Sequence, residues 1–145
     1  VIEIGPLRPE DRADWEVLAR GYKAFYRTPL PDDAYHHTWD RLMTGDGVHG
    51  LAARSGGRAV GIAHYLFHTM VWLGEGCYLQ DLFVAEEARG QGAARALIER
   101  VASLARERGA SRLYWTTQQD NARARLLYDK VASFNGFIRY DRPLA

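Results

Sequence analysis

Apolar residues at Trp15, Leu18, Ala19, Tyr22, Phe25 and Tyr26 fall at i, i+3, i+4, i+7, i+10 and i+11, one stripe of an amphipathic helix. Pro9, Glu10 and Asp11 stand at its start, where a helix tolerates proline and favours negative charge. Thr28-Pro29-Leu30-Pro31 breaks it, and a shorter helix is predicted from Asp32 to Met43, ended by Gly45-Asp46-Gly47. Ala94, Leu97, Ile98, Val101, Leu104 and Ala105 form another stripe, with Arg95, Glu99, Arg100 and Glu107 opposite and Gly109 at the C-terminus. A last helix runs to Val131 from a cap at Asp120 or Asn121.

Between these helices the apolar runs are too short for helices and read as strands. They are Ile2–Leu7, Val48–Arg54, Ala59–Phe67, Cys77–Val84, Leu113–Thr117 and Phe137–Tyr140. Ser55-Gly56-Gly57-Arg58 is a hairpin signal between two of them. The order is β-α-α-β-β-β-α-β-α-β, which implies a mixed α/β sheet: antiparallel neighbours first, then a parallel crossover through the central helix. Strict alternation in Cys77–Val84 puts Cys77, Leu79, Asp81 and Phe83 on one face and Tyr78, Gln80, Leu82 and Val84 on the other. No repeat or flexible linker interrupts the pattern, so residues 1–145 read as one domain.

Composition narrows the function classes. Lys and Arg total 19 against 18 Asp and Glu, a balance that argues against a nucleic-acid binder. No apolar run approaches the roughly 20 residues that span a bilayer, and Val1-Ile2-Glu3-Ile4 reads as a strand rather than a signal segment. The one cysteine, Cys77, has no internal disulfide partner, which fits a cytoplasmic protein. His36 and His37 point about 100° apart on a helix, and His64 and His68 share a face only if their strand reaches His68. Neither pair completes a metal set, so no metal is expected. Thiol catalysis by Cys77 would need an activating histidine, and spacing places none beside it.

The chemistry concentrates in Arg89-Gly90-Gln91-Gly92-Ala93-Ala94, between a strand and a helix. The first N–H groups of a helix lack partners and carry the positive end of its dipole. Gly90 and Gly92 remove side chains that would keep an anion away, and Arg89 adds a charge suited to phosphate. The turn therefore suits a pyrophosphate. Gly92 is not followed by Lys-Ser/Thr, which disfavours a nucleoside-triphosphate loop. Arg95 takes the place of a third glycine and the next strand ends in Thr116-Thr117, which disfavours a dinucleotide site.

Leu79-Gln80-Asp81-Leu82-Phe83-Val84 followed by Arg89-Gly90-Gln91-Gly92-Ala93-Ala94 resembles the signature of the GNAT superfamily of N-acetyltransferases. The family's pyrophosphate motif, Gln/Arg-x-x-Gly-x-Gly/Ala, is met by Arg89, Gly92 and Ala94. Trp115-Thr116-Thr117, Asn121-Ala122-Arg123 and Leu126-Leu127-Tyr128 match its next strand and helix, with likeness to the histone/polyamine and diamine acetyltransferase branches. The resemblance implies a GNAT-like fold with a splayed central strand pair, and transfer of an acetyl group from acetyl-CoA to a primary amine by direct transfer in a ternary complex. The acceptor would be a small molecule, such as a polyamine or amino acid, or a protein lysine. Homodimers are frequent in the family.

It also implies roles for particular residues. Phe83 and Val84 would offer backbone groups to the pantetheine arm, and Gln91, Gly92, Ala93 and Ala94 would cradle the pyrophosphate. Asn121 would bind the arm or simply cap its helix. Tyr128 would face the thioester sulfur as the acid, and Asp81 is the leading base, with Glu75 or a water chain as alternatives. Diamine acetyltransferases carry Glu where this chain has Gln80, which cannot be a base; that departure keeps a non-catalytic acyl-CoA-binding module as the alternative. An acceptor pocket is expected between the first helices and Met70–Gly76, with Asp32, Asp33 and Glu75 available to attract a cationic amine.

Overall fold

The computed structural model describes all residues from Val1 to Ala145. Its elements are β1 (Glu3–Pro6), α1 (Arg12–Phe25), α2 (Asp32–Thr44), β2 (His49–Ser55), β3 (Arg58–Thr69), β4 (Glu75–Val84), α3 (Ala93–Arg108), β5 (Arg112–Tyr114) and α4 (Ala122–Val131). The five strands form one sheet in the order β1-β2-β3-β4-β5, antiparallel except for the parallel β4–β5 pair. This is the expected mixed α/β architecture, with α3 as the crossover.

The sheet separates two apolar clusters. Under α3, Leu97, Ile98, Val101 and Ala105 pack on Leu51, Ala53, Ala63, Tyr65, Cys77, Leu79 and Val84. On the other face α1 and α2 bring Trp15, Leu18, Ala19, Tyr35, Trp39 and Leu42 onto Ala52, Ala59 and Ile62. Asp11 lies buried at this second layer, where Arg54 reaches it through Nε at 3.2 Å while donating from Nη2 to the Pro6 carbonyl at 2.8 Å.

Three sequence expectations change. First, α1 begins at Arg12, after a short 3-10 turn at Pro9–Asp11. Second, the face assignment of β4 fails at its middle. His64 pairs with Asp81 but Tyr65 pairs with Leu79, so Gln80 is the extra residue of a β-bulge. Below the bulge Cys77 and Leu79 face α3; above it Leu82 and Val84 take that face, while Asp81 and Phe83 turn toward α1. Third, Phe137–Tyr140 is not a strand: residues from Ala132 onward carry no helix or strand. Asn135 Oδ1 accepts the Phe137 N–H at 3.0 Å and Gly136 has φ +83°, a local turn in place of strand pairing. β5 offers only three residues of edge for such a partner.

Candidate active site

The bulge delivers Asp81 to the α1–α2 side of the sheet, directly across from His64. His64 Nδ1 lies 2.8 Å from Asp81 Oδ2, and the His64 Nε2 accepts the Trp15 indole N–H at 2.9 Å. Trp15 is 1% exposed and His64 9%. Burial alone would raise the Asp81 pKa, but the His64 ring, through its hydrogen bond and the charge it carries when protonated, and then the Lys23 charge and the Tyr22 hydroxyl, outweigh it and hold the carboxyl below its usual range. The same burial, with the neighbouring Asp81 charge, drives the Tyr22 phenol upward.

Asp81 and His64 line a cavity of about 180 Å³ between α1, α2 and the sheet. Its apolar wall is Trp15, Ala19, Leu42 and Ile62. Lys23 and Arg41 bring positive charge to it, and neither takes part in an ion pair. The cavity is not where the sequence expectation put it. Met70–Gly76 does not line it, and Trp72 stands 80% exposed in the β3–β4 turn. Glu75 is paired with Arg108 at 3.0 Å and Asp32 with Arg20 at 2.9 Å, so Asp81 is the acid that faces the cavity.

Beside this cavity the sheet comes apart. β4 and β5 pair only through Gly76–Tyr78 and Arg112–Tyr114, after which β4 continues to Val84 without a neighbour on that side. Trp115-Thr116-Thr117, expected as strand, peels away. A small second hollow at the fork is lined by Tyr22, Tyr26, Leu79, Gln80, Leu82, Trp115, Thr116 and Tyr128. Tyr128 meets Trp115 edge-on at 5.4 Å, and burial followed by the proximity of Tyr26 pushes its phenol up to about 12. Tyr22 and Gln80 belong to both hollows, and the Tyr22 hydroxyl donates to the Gln80 carbonyl at 3.4 Å. One aromatic side chain thus stands between the carboxylate and the phenol.

Beyond the end of β4, Gly90 and Gly92 adopt φ of +83° and +80°, and a β-carbon at either would meet nothing within 4 Å. Their side of the turn is therefore open space, facing the start of α3. Gly92 is the N-cap of α3, no side chain caps the helix, and its first turn carries no acid. The unpartnered N–H groups at Ala93 and Ala94 make this a place where an anion fits. Arg89 donates from Nε to the Val84 carbonyl at 3.3 Å and lies over the Phe83 ring at 5.9 Å. Phe83 also packs against Gly21 of α1, while the Val84 side chain is core. Asn121 is the N-cap of α4: its Oδ1 accepts from the Ala124 N–H at 3.5 Å and its Nδ2 donates to Thr117 Oγ1 at 3.2 Å.

The fold thus brings Asp81 and Tyr128 to two adjoining hollows, with the Gly90–Ala94 turn at the far end of the same strand. Sequence reasoning did not single out His64 as a site residue, and it offered Tyr22 only as one of several aromatics that could line an acceptor pocket. Counting the hairpin register would have set His64 near Asp81, but the bulge decides that they share a face. Tyr22 reads from its spacing as one more member of a packing stripe.

Comparison with known proteins places the chain by sequence and by fold. A sequence profile of the Acetyltransferase (GNAT) family matches residues 15–134. The D-amino-acid N-acetyltransferase HPA3 of Saccharomyces cerevisiae is 37% identical over 97% of this chain and 90% of its own length. The thialysine N-epsilon-acetyltransferase of Caenorhabditis elegans is 34% identical over 61% of this chain and 55% of its own. Among solved structures, a ribosomal-protein-alanine N-acetyltransferase from Brucella melitensis superposes with a TM-score of 0.82 at 23% identity, covering 100% of both chains. The aminoglycoside enzyme AAC(6')-Iy, solved with a CoA-containing bisubstrate analog, gives 0.86 at 19% identity over 100% of this chain and 99% of that one. With its fold, its motif-bearing half and most of its length in agreement, this chain belongs to the GNAT family and is an N-acetyltransferase.

Proposed function

We propose that residues 1–145 act as one domain that acetylates the primary amine of a small amino-acid-like acceptor, with acetyl-CoA as donor, by direct transfer in a ternary complex. The observation that carries this reading is the adjacency of the two hollows, one presenting Asp81 and the other Tyr128, across Tyr22 and Gln80. Bound acetyl-CoA supplies an activated acetyl thioester. Gln91, Gly92, Ala93 and Ala94, with Gly90 and Arg89, would hold its pyrophosphate. The unpaired edge of β4 at Phe83 and Val84, and the second Nδ2 hydrogen of Asn121, would hold its arm.

An alkyl amine with a pKa of about 10 reaches the cavity as an ammonium and cannot attack until it loses a proton. Asp81, kept as a carboxylate, accepts that proton. Tyr128 donates a hydrogen bond to the departing sulfur. A phenol raised to about 12 does not fully protonate a thiolate whose conjugate acid lies near 8.5, so its contribution is stabilisation of developing charge.

Lys23 and Arg41, which line the cavity and form no ion pair, support an acceptor that also carries a carboxylate. The yeast relative's name describes such an acceptor. The test is release of free thiol from acetyl-CoA with amino acids and with diamines of matched length. Amino acids should show the higher kcat/KM, and Arg41→Ala should narrow the gap. Turnover confined to diamines would remove the carboxylate anchor from this reading.

A homodimer and a cytoplasmic location belong to the same proposal. Phe134, Phe137, Ile138 and Tyr140 are exposed, and the last strand of the sheet, β5, has one free edge; both support self-association. No helix is long and apolar enough to cross a membrane.

A further inference from the structure

We infer that His64 is a positioning residue for the transfer, held by Trp15 in the neutral tautomer with hydrogen on Nδ1, so that it donates to Asp81 and never takes the acceptor's proton itself. The inference rests on the proposed role of Asp81 as base. The indole nitrogen of Trp15 has a hydrogen to give and no lone pair to accept with. At 2.9 Å from it, His64 Nε2 must present its own lone pair. The one ring hydrogen then sits on Nδ1, 2.8 Å from Asp81 Oδ2. Protonating Nε2 would set two donors against each other in a buried site, leaving both unpaired. Trp15 cannot easily turn aside, because the Trp39 ring lies 5.1 Å away and both indoles are buried.

The arrangement assigns each proton. One carboxylate oxygen of Asp81 is occupied by the His64 hydrogen, and the residue lines the cavity. When the acceptor ammonium gives up its proton, its N–H bond breaks and an O–H bond forms on Asp81, which passes the proton to water. The neutral amine then forms the C–N bond as the C–S bond breaks, and the second N–H proton leaves with the departing thiolate, giving the amide and the free thiol. His64 keeps its single hydrogen throughout. The other titratable or charged groups facing this pair are Tyr22 and Lys23 from α1, and Tyr35 and Arg41 from α2. None of them lies between His64 and Trp15.

Protein labelled with nitrogen-15 in histidine, read by two-bond nitrogen–proton correlation at neutral pH, should show His64 with Nδ1 protonated and Nε2 bare. Trp15→Phe should release this preference into mixed tautomers. A wild-type spectrum with hydrogen on Nε2 overturns the inference. In turnover assays His64→Ala should lower kcat by about 10- to 100-fold, the value of a hydrogen bond to a charged group, with KM for acetyl-CoA unchanged. His64→Asn, whose amide places a donor near the Nδ1 position, should recover most of the loss. Equal damage in the Ala and Asn variants, with both folded by circular dichroism, would also overturn it. Undiminished turnover in Asp81→Asn would instead remove the base, while leaving the tautomer measurement standing as a separate result.

Discussion

A carboxylate held below its usual pKa accepts protons weakly, and under the proposed mechanism what Asp81 would offer the amine is position as much as basicity. Asp81→Asn should therefore lower kcat/KM by about 10²- to 10⁴-fold near neutral pH, the usual range for losing a general base, with acetyl-CoA affinity unchanged. Because solvent takes over the proton as pH rises toward the amine's own pKa of about 10, the gap between variant and wild type should shrink at alkaline pH. A gap that stays constant from neutral to alkaline pH would argue that Asp81 binds the amine without accepting its proton. Tyr128→Phe should lower kcat and kcat/KM together by about 10²-fold, as for a lost donor to developing charge. At the same scale, burial would raise Asp11, but the Arg54 hydrogen bonds and the Arg8 N–H hold it below its ordinary value. A depressed folded pKa means the pair stabilises above the unfolded carboxyl value, about 3.9, and that stabilisation is lost as pH falls through the folded value. Asp11→Asn should cost about 3–5 kcal/mol at pH 7, read by urea denaturation, with the difference from wild type narrowing in acid.

Among the elements, β4 and the turn after it hold the residues to which the proposal gives the chemistry. The Gly90–Ala94 turn was legible in the sequence because a left-handed turn ahead of a helix calls for glycines at fixed places, and that is a local requirement. Gly92→Ala separates folding from binding. A β-carbon there meets no protein atom, so the fold should lose only the roughly 1–2 kcal/mol cost of the left-handed backbone. Acetyl-CoA, reaching for the same open space, should bind at least about tenfold more weakly, a loss of about 1.4 kcal/mol, measured by calorimetry. Unchanged affinity would place the pyrophosphate elsewhere. The bulge at Gln80 was not legible. Alternation assumes unbroken pairing, and nothing in Leu79-Gln80-Asp81 announces an extra residue; the mismatch exists only against β3. The fork after Tyr78 was anticipated through family likeness, since Leu113–Thr117 composition by itself predicts a longer strand than the three residues observed.

At the scale of the molecule, the apolar C-terminal stretch and the free edge of β5 predict a concentration-dependent dimer. Light scattering on wild type should show twice the monomer mass, and the double substitution Phe137→Asp, Ile138→Asp should return it to monomer; wild type that stays monomeric at high concentration would refute this. The sequence by itself determined the helices, the hairpin and the order of elements as far as α4, and it marked the glycine turn ahead of α3, because each depends on neighbours within a few positions of the chain. Tertiary structure decided which way Asp81 faces, which acids are already paired away, and that His64 and Tyr22 line the same cavity as Asp81. Those outcomes depend on contacts between residues far apart in sequence, such as 15 with 64, 64 with 81 and 22 with 80. A one-residue slip in one strand reverses the faces of every residue beyond it, and no local pattern records where that slip occurs.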